Sequence, residues 1–123
     1  MYSVTIETEF SAAHLIRGYN GPCSRLHGHN WIVTVEVKTD VLDKLGMSID
    51  FYALQKMIND VVAQFDHHDL STTPPFDQAL NPTSENIARY FFEELKKKLP
   101  VQITLSFVAI SETGQCSAKY SET

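Results

Sequence analysis

The chain has 123 residues and a formal net charge of −5 at neutral pH, which fits one domain, 1–123, able to bury a core without a metal staple. Its one cationic run, Lys96-Lys97-Lys98, suits a helix C-terminus and argues against a nucleic-acid partner. With no run of about 18 apolar residues and no charged-then-apolar leader, the chain reads as cytoplasmic and off the membrane, its Cys23 and Cys116 as free thiols.

Tyr2 to Glu9 reads as a first strand, with Val4, Ile6 and Phe10 on one parity that His14 continues. Trp31 to Val37 reads as a second, and His27 and His29 share the parity of its apolar row Trp31, Val33, Val35 and Val37. In an extended chain His27 and His29 lie ~6–7 Å apart on one side, close enough to converge on one ion at ~2.0–2.1 Å per nitrogen. Antiparallel pairing brings the end of strand one to the start of strand two, so His14 joins them. Three imidazoles with a fourth position open are the ligand set of a catalytic zinc. Cys23, in the intervening loop, is either a thiolate base beside that ion or the fourth ligand of a closed, structural site.

A turn-rich stretch, Asp40 to Ser48, precedes a helix marked by Leu54, Met57, Ile58, Val61, Val62 and Phe65, expected to end near Asp66-His67-His68-Asp69. Adjacent residues do not face one another on a helix, so an Asp66–His67 contact requires a turn there or a partner from another segment; the alternative is an exposed, charged helix end. A second helix opens after Pro82, capped by Thr83 or Ser84, and stops at Pro100. Val101 to Ile110 alternates, with Val101, Ile103, Leu105 and Phe107 inward, and Gln115 to Tyr120 closes a hairpin. That parity sends Glu112 to the face away from the helices, either as an exposed turn residue or as a carboxylate holding a planar N–H edge. Cys116 reads as a small buried strand residue.

The order β-β-α-α-β-β predicts an α+β fold with a four-stranded antiparallel sheet and both helices on one face. Its free edges point to a homo-oligomer that joins sheets into a barrel.

Taken together, Phe10-Ser11-Ala12-Ala13-His14, Cys23 to Asn30, Ile49-Asp50-Phe51, Asp66-His67, Pro82-Thr83-Ser84-Glu85-Asn86 and Glu112-Thr113 resemble the 6-pyruvoyl-tetrahydropterin synthase family. The resemblance runs from about residue 6 to Tyr120. It implies the tunnelling fold, trimers stacked into hexamers, and active sites between subunits. It also implies Zn2+ on His14, His27 and His29, Cys23 as the catalytic thiol and Asp66 with His67 as its acid–base partners. Glu112 would anchor a small-molecule pterin, and Thr83 would help seat it. Leu70-Ser71 departs from the Leu-Asn often found after the Asp-His pair. Three residues between Cys23 and His27 resemble the 6-carboxy-5,6,7,8-tetrahydropterin synthase branch, which acts on 7,8-dihydroneopterin triphosphate on the route to queuosine. The 6-pyruvoyl branch and a non-catalytic pterin-binding module are the alternatives. Arg17 and Arg25 are candidate phosphate contacts.

Overall fold

In a computed structural model, residues 1–122 are described; the expected domain's last residue, 123, lies outside them. Strands β1 (Tyr2–His14) and β2 (His27–Thr39) pair antiparallel without interruption, from Tyr2 opposite Thr39 to His14 opposite His27. Alternation is clean on both. Phe10, Ala12 and His14 on β1 and Trp31, Val33, Val35 and Val37 on β2 are buried, while their neighbours are not. β-Branched residues on the buried row fit a pleated, half-covered surface.

Helix α1 (Phe51–Val62) starts where the Asp50 carboxylate accepts from the Tyr52 amide, and buries Leu54, Ile58, Val61 and Val62. It ends earlier than its apolar spacing predicts. The amides of Gln64, Phe65 and Asp66 turn back onto Val61 and Val62, and His67 takes a left-handed φ of 61°. Phe65 remains fully buried, so the periodicity is satisfied by a turn and not by a continued helix. Past the turn, β3 (His68–Asp69) runs parallel to β1 beside Ala12 and Ala13. This two-residue strand adds a fifth to the four expected.

Helix α2 (Ser84–Lys98) is capped by Thr83, whose hydroxyl accepts from the Asn86 amide. Lys96, Lys97 and Lys98 lie in its last turn, where cations oppose the helix dipole. Strands β4 (Thr104–Thr113) and β5 (Cys116–Tyr120) complete a sheet of order β3-β1-β2-β4-β5. Both helices lie on one face, and Leu54, Ile58, Ile87, Phe91 and Leu95 close the core over Phe10, Trp31, Val35 and Val108. Among the described residues no helix is long and apolar enough to cross a membrane.

Two features of β4 depart from the alternation. Val101 is fully exposed, in a turn after Pro100, and the strand begins only at Thr104. Opposite β2, Glu36 pairs with Phe107 but Val37 with Leu105, which leaves Ser106 as the extra residue of a β-bulge. The bulge inverts the parity beyond it. Leu105 is buried before it, Val108 and Ile110 after it, and Phe107 faces outward with the Lys119 ammonium 4.2 Å from its ring centre. Cys116 is exposed instead of buried, at the start of β5.

Candidate metal centre and active site

The inverted parity reassigns Glu112. Even-numbered residues of β4 beyond the bulge face the helices, so Glu112 lies on the inward side and not on the far face. It also interrupts the β4–β5 ladder, where Ser111 pairs with Ser117 and Thr113 with Cys116. A bulge that re-aims a side chain at the rim of a sheet recurs beside functional sites. Here it points the carboxylate at the histidines: Oε1 is 3.9 Å from His14 Nε2, and Oε2 is 3.7 Å from His29 Nε2. The Ser84 hydroxyl, in the first turn of α2, donates to Oε1 at 3.3 Å.

The three histidines meet as the strand register requires. His14 sits opposite His27 and Ala12 opposite His29, and one ligand nitrogen from each ring lies within 4.8 Å of the others. Trp31 floors the cluster, edge-on to His14 and His29, with its indole N–H donating to the Ala12 carbonyl at 3.0 Å.

Two ring tautomers follow from the partners. A carbonyl only accepts, so His14 Nδ1–H donates to Pro82 at 2.7 Å and His27 Nδ1–H donates to Arg25 at 2.6 Å. A neutral imidazole that donates through Nδ1 presents a bare lone pair at Nε2. The Nε2 atoms of His14 and His29 are buried and have no hydrogen-bond partner. Burial is the main cause that pushes both pKa values down. For His14 the carbonyl of Pro82 and Glu112 oppose it; for His29, Glu112 does. Neutral, desolvated nitrogens converging on one point are stable neighbours of a cation and poor neighbours of each other. The donor set therefore fits a divalent metal that accepts imidazole, with Glu112 as an adjacent acid.

The expected proton-moving residues stand apart. Cys23 is exposed in a 3-10 turn, Pro22–Ser24, whose Cys23 carbonyl accepts from the Ile16 amide at 2.8 Å. Among the described residues its sulfur does not join the histidine cluster, so the closed Cys-His₃ alternative has no support in the geometry. Asp66 and His67 do face one another, through the turn after α1: His67 Nδ1 lies 3.1 Å from Asp66 Oδ1. The His67 ring is 81% exposed. Asp66 also accepts from the Ser11 amide at 3.0 Å, the main cause that holds its carboxyl below the usual range, with His67 adding to it. Thr83 serves as the α2 cap, and its neighbour Ser84 is the residue that reaches Glu112. Arg17, a candidate phosphate contact, turns its guanidinium onto main-chain carbonyls instead, whereas Arg25 is exposed.

The contacts missing from the sequence reading are mostly main-chain: the carbonyls of Pro82 and Arg25 and the amide of Ser11. Such groups carry no residue-type signal. Ser84 reads in the sequence only as a candidate helix cap, and its reach to Glu112 depends on the bulge in β4.

The family model described as 6-pyruvoyl tetrahydropterin synthase matches residues 3–123. A protein of Archaeoglobus fulgidus, provisionally named 6-carboxy-5,6,7,8-tetrahydropterin synthase, is 44% identical over 95 residues, covering 77% of this chain and 76% of its own. The dihydroneopterin monophosphate aldolase of Pyrococcus furiosus is 31% identical over 112 residues, covering 91% of this chain and 90% of its own. The structure of Caenorhabditis elegans 6-pyruvoyl tetrahydropterin synthase superposes with a TM-score of 0.84 at 32% identity, over 100% of this chain and 98% of that one.

Proposed function

This chain belongs to the 6-pyruvoyl tetrahydropterin synthase family, and on that premise we propose that it is a zinc-dependent lyase. It converts 7,8-dihydroneopterin triphosphate and one water to 6-carboxy-5,6,7,8-tetrahydropterin, acetaldehyde and triphosphate, on the route to queuosine. The observation that carries the branch is the 44% identity to the Archaeoglobus protein of that name. The three-residue spacing between Cys23 and His27 agrees with it.

His14, His27 and His29 would hold the zinc, which when bound supplies Lewis-acid polarisation of the substrate's side-chain hydroxyls. Glu112 anchors the pterin by accepting two hydrogen bonds from its N–H/NH₂ edge, and Ser84 steadies one of its oxygens. Thr83 fixes the start of α2 beneath that edge. Trp31 and the core behind it keep water from the buried side of the imidazoles. The Cys23 thiolate takes a proton from a side-chain carbon. His67, oriented by Asp66, carries a proton to or from the neighbouring position. The exposed Arg25 guanidinium meets the triphosphate.

His67 is exposed in the single chain, and a homo-oligomer, a hexamer built as a dimer of trimers, would bring it to a site between copies. Free strand edges at β3 and β5 provide the means of joining sheets.

A second reading, 6-pyruvoyl-tetrahydropterin synthase, is favoured by the similarity to the Caenorhabditis elegans structure. It keeps the same residues and stops at triphosphate elimination. Mass analysis of the products from zinc-loaded protein and dihydroneopterin triphosphate separates the two. A protein that binds the pterin without turnover would be a binding module.

A further inference from the structure

Arg17 lies three residues beyond His14, past the end of β1. Its main chain pairs in both directions with the Asn81 side chain: the Arg17 amide donates to Oδ1, and Nδ2 donates to the Arg17 carbonyl, each at 2.9 Å. Its guanidinium reaches into the loop ahead of α2. Nη2 donates to the carbonyls of Phe76 and Leu80 at 2.7 Å each, and Nη1 to the carbonyl of Ser71 at 3.4 Å. The Leu15 amide adds a contact to Ser71 Oγ at 2.9 Å. From the far side, Asn86 Nδ2 donates to the Asn81 carbonyl at 2.9 Å.

The residue that follows Asn81 is Pro82, whose carbonyl receives the Nδ1–H of His14. Proline has a fixed φ and no amide hydrogen. With φ fixed, the direction of that carbonyl follows ψ and the placement of the flanking residues. The Thr83 amide donates back to the Asn81 carbonyl at 2.9 Å. The Arg17 main chain and Asn86 hold Asn81, and the Arg17 guanidinium holds Leu80 just before it. A planar guanidinium is suited to this, because one fork can satisfy several carbonyls that a single ammonium cannot bridge at once. Donors that carry charge also make stronger bonds to carbonyls than neutral ones do.

We propose that Arg17 is a positioning residue for the metal site. By shaping the loop from Ser71 to Asn81 it holds the Pro82 carbonyl against His14 Nδ1, and so keeps the His14 Nε2 lone pair aimed at the point shared with His27 and His29. The inference rests on the zinc reading of those three histidines. Partners that orient a ligating histidine typically contribute 10–100-fold to metal affinity.

The test uses Arg17→Ala and Arg17→Lys in the full chain, with Zn2+ and Co2+ affinities measured by chelator competition at a temperature where every variant is folded. Phe92→Leu, a buried α2 substitution on the β5 side of the core, serves as a destabilised control. Arg17→Ala should bind metal ~10–100-fold more weakly, with Arg17→Lys between it and the wild type, and should alter the Co2+ d–d absorption. Phe92→Leu should lower the melting temperature and leave affinity and spectrum unchanged. If both Arg17 variants bind metal within about twofold of the wild type, or if Phe92→Leu weakens it equally, the positioning role is wrong. A wild-type protein that takes up no metal overturns the zinc reading itself, an outcome distinct from either.

Discussion

The two parts of the candidate site are built differently. At the joint of β1 and β2, His14 and His29 are packed on Trp31, and His14 and His27 are pinned at Nδ1 by main-chain carbonyls. Cys23 and His67 instead sit exposed on short turns, tied to the scaffold through main-chain atoms of their own segments. On the proposed function this difference is a division of labour. Groups that hold a cation must be preorganised and dry, because any rearrangement on binding subtracts from affinity. Groups that move protons must reach a substrate that arrives from solvent.

The largest effect comes from the metal-holding histidines. His27→Ala or His29→Ala should abolish stoichiometric zinc, read by elemental analysis, while the chain stays folded on its own apolar core. Unchanged zinc in both variants would mean that these histidines do not hold the metal. Next comes the exposed part: Cys23→Ala should keep zinc and pterin binding while turnover falls ~10²–10⁴-fold, the usual range for a lost general base. Loss of zinc in that variant would instead make Cys23 a ligand.

Glu112 stands beside the histidines, partly open to solvent. Glu112→Gln keeps the shape but replaces an acceptor with an amide that sets a donor against a donor, so pterin affinity should fall by about 2–4 kcal/mol in a titration. Near-normal affinity would return Glu112 to the role of a turn residue. The smallest effect concerns Asp66. Its folded pKa is depressed, chiefly by the Ser11 amide, so its contribution to stability is present above the ordinary carboxylate pKa and is lost as pH falls through the lower folded value. The stability gap between wild type and Asp66→Ala should therefore be full at neutral pH and shrink only in acid, as followed by denaturant melts. A gap that closes between neutral pH and the ordinary carboxylate range would contradict the Ser11 contact as its source.

The histidine cluster was legible because strand alternation and one antiparallel pairing suffice to bring positions 14, 27 and 29 together, and no bulge interrupts β1 or β2. The face of Glu112 was not legible. It depends on the extra residue Ser106, and nothing in Leu105-Ser106-Phe107 announces where the pairing with β2 slips. Val101 looked like a strand residue because it is β-branched and in phase with Ile103, yet it follows Pro100 in a turn. An Asp66–His67 contact calls for a turn or a partner from another segment, and Phe65 keeps the helical period alive past the helix end, which hides the turn. Local chemistry read well where it set the backbone, as in the Thr83 cap, and poorly where a distant partner set it, as with the carbonyls around Arg17.

On the proposed function, the metal-holding histidines and the exposed proton-moving residues together cleave a carbon–carbon bond of a pterin side chain. Incubation of zinc-loaded protein with 7,8-dihydroneopterin triphosphate, with products identified by mass, tests it most directly. The expected products are 6-carboxy-5,6,7,8-tetrahydropterin, acetaldehyde and triphosphate in equal amounts. Triphosphate and 6-pyruvoyl-tetrahydropterin without acetaldehyde would contradict it.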